Sequence, residues 1–144
     1  MLNSATNSIE LTLVDVKREE ALVMITISGP LDVNGSCSLE RSIEKDFDEN
    51  GIVSPLVIDL TDVSFISSRG VQALLDVFKK STNKNMVALS GASNTVLELL
   101  NLVGFASLVK VFDTTNMARE ELLKKPTEKV EEAIPLLPRP LLFS

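Results

Sequence analysis

The chain has 144 residues, enough for one domain with its own core, and 44% of them are hydrophobic. Its 20 acidic residues outnumber 14 basic ones, for a net charge of −6, and no basic stripe favours a nucleic-acid partner. With no histidine and one cysteine, Cys37, Ser-His-Asp and Cys-His catalysis are excluded. The same composition speaks against a zinc site and against an enzyme.

Residues 1–10 carry no Lys or Arg and no apolar run, so they do not resemble a signal peptide. No uninterrupted apolar stretch approaches the roughly 18–20 residues that a membrane-spanning helix needs. Neither a P-loop nor a GxGxxG motif is present. A lone cysteine suits a reducing compartment, so these features predict a cytoplasmic protein with no membrane span.

Two alternating apolar runs come first. Ile9, Leu11 and Leu13 predict one strand, and ALVMITISG, residues 21–29, predicts a second strand that Gly29-Pro30 stops. Only four polar residues separate the runs, which favours an antiparallel pair.

The hydrophobic period then changes from two to about four. Leu39, Ile43 and Phe47 predict one face of a helix from about Asn34 to Glu49. PLVIDL, residues 55–60, is nearly continuous in apolar residues, as expected of a strand that is covered on both faces.

A second amphipathic helix follows, because its apolar residues have the spacing i, i+3, i+4 and i+7: Val71, Leu74, Leu75 and Phe78. Beyond it the pattern predicts a strand at 85–91, a helix at 94–104, a strand at 108–113 and a helix at 115–125. Alternating strands and helices predict an α/β fold with a mixed, mostly parallel sheet of about five strands and about four flanking helices.

The last residues differ in composition. Residues 126–144 contain four of the six prolines of the chain, among them Pro135, Pro138 and Pro140, and end in an apolar run. The prolines exclude a regular helix there. Two interpretations stay open: an extension that lies along its own domain, and an extended docking segment for a partner.

Two serines, Ser67 and Ser68, stand between the central strand and the second amphipathic helix. One interpretation is helix capping, worth about 1 kcal/mol, with Gly70 allowing a tight corner. The other uses the same geometry for chemistry. A phosphoryl group on a serine at a helix N-terminus is stabilised by the free N–H groups, and Arg69 stands next to it in the sequence.

Three motifs then occur in a recognisable order: GPLD at 29–32, LVIDLTDVSFISSRG at 56–70 and LNLVGF at 100–105. In this order and spacing the chain resembles the STAS domain of bacterial anti-sigma factor antagonists. The resemblance covers about residues 9–124, so we expect a STAS-like domain at 9–125 and a Pro-rich tail at 126–144.

In that family the phosphorylated serine lies two residues before the glycine that opens the helix, which corresponds here to Ser68 and Gly70. Ser67 occupies a position where relatives carry Asp or Ser. Arg69 departs from the family pattern, in which this residue is usually small, and this departure bears on which kinase fits. The resemblance implies partner contacts at Asp32, Ser67, Arg69 and Gly70, although Asp32 is equally well explained as a turn or cap residue.

The function that the resemblance implies is partner switching. The unmodified protein would bind an anti-sigma factor that is itself a serine kinase, phosphorylation of Ser68 would release that kinase, and a PP2C-type phosphatase would reset the switch. No cofactor or metal is expected, since ATP would belong to the kinase. An alternative is a STAS-type binding subunit of a stress-sensing, transporter-associated or lipid-trafficking complex. A hydrolase with Ser68 as nucleophile ranks last, because no histidine can serve as its base.

Overall fold

Five strands form one mixed sheet in the computed structural model, which describes residues 11–19 and 21–124. The strands are β1 (Leu13–Arg18), β2 (Val23–Leu31), β3 (Leu56–Ile66), β4 (Val87–Ser90) and β5 (Lys110–Phe112). They lie in the order β1-β2-β3-β4-β5, with β1 antiparallel to β2 and the other neighbours parallel. The predicted α/β fold with a mixed, mostly parallel sheet is confirmed. Ile9 and the tail at 126–144 lie outside the described residues.

Four α-helices cover the sheet: α1 (Val33–Asp46), α2 (Ser68–Lys80), α3 (Asn94–Leu102) and α4 (Thr115–Leu122). The larger core cluster joins β1–β4 to α1, α2 and α3, with Leu39, Leu74 and Leu100 fully buried in it. A smaller cluster on the opposite face joins the sheet to α4 through Ala118 and Leu122. Among the residues described, no helix is both long enough and apolar enough to cross a bilayer.

The predicted end of β2 at Gly29-Pro30 is wrong, because the strand continues to Leu31. Pairing with β1 stops at Ser28, so the missing N–H of Pro30 removes no hydrogen bond to β1. On the other side the register with β3 shifts between Gly29 and Pro30, and Leu31 pairs with Ile66. This continuation carries β2 and β3 together to the edge where α1 and α2 begin.

Two of the apolar residues that predict the first strand do not face the core. Leu11 and Leu13 are 75% and 67% exposed, whereas Val14 and Val16 pack against the larger core cluster. The register that pairs Leu13 with Ser28 turns the odd-numbered side chains away from the helices.

The buried face of α2 is rotated from the predicted one. Leu74 is fully buried as expected, but Val71, Leu75 and Phe78 are only half-buried against the edge of the core. Ala73 and Val77 take the inner positions, because α2 packs on α1 as well as on the sheet.

Candidate functional site

Three helices begin at one edge of the sheet, where the parallel strands β2, β3 and β4 end. Each helix has a side-chain cap: Asp32 for α1, Ser67 for α2 and Ser93 for α3. Because parallel strands place their carboxyl ends together, the connections to all three helices lie side by side. The sequence-predicted site residues are therefore brought together at this edge.

Ser67, not Ser68, caps α2. The Ser67 hydroxyl oxygen accepts a hydrogen bond from the Gly70 N–H at 3.1 Å, and the hydroxyl itself lies 3.3 Å from the Leu31 carbonyl oxygen. The Ser67 N–H also donates to Leu31 O at 3.1 Å. Ser67 thus joins the start of α2 to the end of β2. Its side chain is half-buried.

Ser68 is the first residue of α2 and is exposed. Within the described part of the chain, its hydroxyl has no hydrogen-bond partner, because Ser67 performs the capping. The N–H of Val71 donates to Ser67 O and the N–H of Gly70 to the cap, so the first two N–H groups of the helix stay available near the Ser68 side chain. This arrangement offers a solvent-accessible hydroxyl at the positive end of a helix.

Gly70 lets α2 begin against the end of β2. A Cβ at this position would lie within 3.0 Å of both the Leu31 carbonyl oxygen and the Ile66 side chain. Gly35 in α1 has the same relation to the Pro30 carbonyl oxygen. Gly70 is buried and places the first turn of α2, and its contact with a partner stays a prediction.

Arg69 points toward α1 rather than toward Ser68, since consecutive residues of a helix do not share a face. Its guanidinium donates to the Glu40 carboxylate in an ion pair between α2 and α1. The pKa of Arg69 is raised from its ordinary value, chiefly by this hydrogen bond to Glu40. Arg69 thus links the first turn of α2 to α1.

Asp32 caps α1, with Oδ1 accepting from the Gly35 N–H at 2.8 Å. It directly follows Leu31, the residue whose carbonyl oxygen binds Ser67, so the caps of α1 and α2 are neighbours. Asp32 is half-buried, and its contact with a partner stays a prediction.

Two exposed apolar residues occur at the same edge: Val33 opens α1 and is 59% exposed, and Phe65, near the end of β3, is 53% exposed. We call Ser68, Val33 and Phe65 the serine face. Sequence reasoning missed both apolar members. The exposure of Phe65 could have been predicted from strand alternation. Adjacent residues of a strand face opposite sides, and Ile66 is buried.

Neither the main groove nor a metal cluster, within the part of the chain that the structure describes, involves Ser68. A groove of about 310 Å³ lies between α1 and α2, and its lining, which includes Ile43, Ala73 and Val77, does not include Ser68. Among the described residues, no three acidic or cysteine side chains converge as a metal site requires. The serine face combines an exposed hydroxyl with exposed apolar side chains.

A family model described as the STAS domain matches residues 13–118. The chain belongs to the STAS domain family. The match spans all five strands and the start of α4, and it includes Asp32 and the residues from Ser67 to Gly70.

Solved structures share this STAS fold. An anti-sigma factor antagonist from Mycobacterium paratuberculosis is 20% identical, has a TM-score of 0.70, and the match covers 79% of this chain and 96% of that one. A sulfate transporter family protein from Wolinella succinogenes is 19% identical with a TM-score of 0.59, covering 80% and 92%. The phosphorylated form of the Bacillus cell fate determinant SpoIIAA is 13% identical with a TM-score of 0.51, covering 84% and 99%.

Proposed function

We propose that this STAS domain is an anti-sigma factor antagonist that works by partner switching. Its unmodified form binds an anti-sigma factor that is a serine kinase, and phosphorylation of Ser68 by that kinase ends the complex. A PP2C-type phosphatase restores the hydroxyl. The protein acts in the cytoplasm on transcription as a binding protein, without catalysis of its own and without a cofactor.

The observation that carries this proposal is the difference in hydrogen bonding and exposure between the two serines. Ser67 makes the structural hydrogen bonds, whereas the Ser68 hydroxyl is exposed at the first position of α2. A phosphate acceptor must be reachable by a kinase, and its modification should leave the fold intact. Ser68 is exposed and its hydroxyl makes no hydrogen bond within the described residues, whereas Ser67 is half-buried and its hydroxyl is used in the cap.

The surroundings of Ser68 favour partner binding by the unmodified form over binding by the phosphorylated form. Val33 and Phe65 offer apolar area that a partner would cover, and Asp32 offers a carboxylate beside it. A phosphoryl group adds about −1.5 to −2 charges at pH 7. Its contact with the helix N-terminus stabilises it in the free protein, while desolvation and the nearby carboxylate oppose its burial in a complex.

The comparisons support the same proposal. One neighbour in structure is an anti-sigma factor antagonist, and another is a cell fate determinant solved in a phosphorylated form. A second candidate function, a subunit associated with an anion transporter, is favoured by the likeness to the sulfate transporter family protein. The two functions differ in their dependence on Ser68, because only partner switching requires that residue to accept phosphate.

The test is phosphate transfer from anti-sigma serine kinases of the source organism, each purified and incubated with this protein and ATP. At least one kinase is expected to bind the protein and to transfer phosphate to Ser68. Ser68→Ala abolishes acceptance, whereas Ser64→Ala, an exposed serine on the same edge, serves as the matched control and is phosphorylated normally. If no kinase binds or transfers phosphate, the transporter-associated function becomes the better account.

A further inference from the structure

A second exposed apolar surface lies far from the serine face, at the opposite edge of the sheet. Leu102, Val103 and Leu108 are 83%, 53% and 52% exposed. They flank the single-turn helix Phe105–Ser107, which connects α3 to β5. We call these three residues the α3–β5 patch. Three large apolar side chains within seven residues are a concentration of exposed surface that isolated exposed leucines do not create.

Lysines border this patch. Leu108 lines a cavity of about 180 Å³ together with Lys84 and Lys110. Lys84 is held in place, since its ammonium group donates to the carbonyl oxygens of Lys79, at 3.0 Å, and of Ser81. The surface therefore combines apolar area with positive charge, and it fits an occupant that combines apolar and acidic side chains.

The end of α4 lies beside the same cavity. Lys110 Nζ is 3.8 Å from one carboxylate oxygen of Glu121, and Lys124 Nζ is 3.2 Å from the other. The chain that follows residue 124 thus starts near Lys110, which lines the cavity together with Leu108. Residues 1–10, by contrast, precede β1, which is at the other side of the sheet from β5.

The sequence that follows has the required chemistry. Residues 128–137, EKVEEAIPLL, place three glutamates against one lysine and then Ile134, Leu136 and Leu137. An extended chain spans up to about 3.3–3.6 Å per residue, so the four steps from Lys124 to residue 128 can carry the chain about 13–14 Å from the end of α4. Pro135 favours an extended backbone around it, which lowers the entropy lost on docking.

We propose that residues 128–137 bind the α3–β5 patch of their own chain, with the glutamates facing Lys84 and Lys110 and the apolar side chains covering Leu102, Val103 and Leu108. The attachment through α4 makes binding intramolecular, at an effective concentration on the order of millimolar, so modest contacts are enough. Neither surface belongs to the serine face, and the proposal is independent of phosphorylation.

Tryptophan fluorescence tests this proposal, because the chain has neither Trp nor Tyr and one introduced indole reports on a single position. The reporter is Leu137→Trp in the full-length chain. Its emission is expected at the short wavelengths of a shielded indole, with slow quenching by acrylamide, at every protein concentration. Adding Leu102→Lys to the reporter shifts the emission to that of a solvated indole and raises the quenching constant. Leu102 is exposed, so this variant folds normally.

Leu13→Lys in the reporter is the matched control, since Leu13 is also exposed but lies on β1 at the other side of the sheet. Its emission stays that of the reporter alone. Three results overturn the proposal: a solvated indole in the reporter, a shielded indole that Leu102→Lys does not change, and shielding that disappears on dilution. The last result identifies a second copy as the source of the segment.

Discussion

Replacing Ser67 by alanine destabilises the protein, whereas replacing Ser68 has almost no effect on stability. Ser67→Ala removes the acceptor of the Gly70 N–H and the contact with Leu31 O. Loss of an N-cap costs about 1 kcal/mol. The longer contact, at 3.3 Å, adds at most about 0.5 kcal/mol, the lower end for a net hydrogen bond. We expect a loss of about 1–1.5 kcal/mol in the free energy of unfolding.

Ser68→Ala leaves the cap in place and substitutes a better helix former, so the expected change lies within about 0.5 kcal/mol of zero. Urea denaturation followed by circular dichroism at 222 nm (about the helical minimum) measures both variants, and equal m-values show that the same surface unfolds. Ser93→Ala is the control for cap loss, since Ser93 caps α3 through the Val96 N–H at 3.2 Å. A loss for Ser68→Ala that equals the loss for Ser67→Ala contradicts the assignment of the two serines.

Three further variants test the packing that places the serine face. Leu74→Ala, at a fully buried residue, should cost about 2–5 kcal/mol, and Leu75→Ala, at a half-buried one, clearly less; urea denaturation that ranks them in the opposite order refutes the inner face of α2. Gly70→Ala forces a methyl group against Leu31 O and should cost about 1–3 kcal/mol, so a neutral result contradicts the close approach of α2 to β2. Deletion of residues 127–144 should leave one cooperative thermal transition, since both core clusters of the described residues are formed between Val14 and Leu122; a broad, non-cooperative transition contradicts this.

Local patterns were sufficient to predict the fold class and the strand-to-helix junction that contains the two serines. The continuous apolar run of β3, followed by two serines and an amphipathic helix, predicts a strand and a helix that meet at residues 66–68, and they do. Both predictions use only the periodicity of residues that are close together in the chain, and this periodicity can be read directly from the sequence.

The remaining features depend on how distant segments meet. Which serine caps α2 is decided by where Leu31 of β2 presents its carbonyl oxygen, 36 residues away. The partner of Arg69 is Glu40 on another helix, 29 residues away. Leu11 and Leu13 alternate with polar residues, as buried strand residues do. Whether they are buried depends on the pairing register of β1 with β2, because a shift of one residue moves each side chain to the other face of the sheet. None of these relations appears in a local pattern.

The most direct test of partner switching is to form the complex between this protein and its anti-sigma kinase, add ATP, and follow complex and phosphate together. Binding is measured by calorimetry for the unmodified protein, for Ser68→Ala and for Ser68→Asp, and the modified residue is identified by peptide mapping. The account predicts phosphate on Ser68 and dissociation of the complex as phosphate is incorporated. It also predicts binding by Ser68→Ala without acceptance, and weaker binding by Ser68→Asp. Phosphate on Ser67, or equal binding by Ser68→Asp and the unmodified protein, contradicts it.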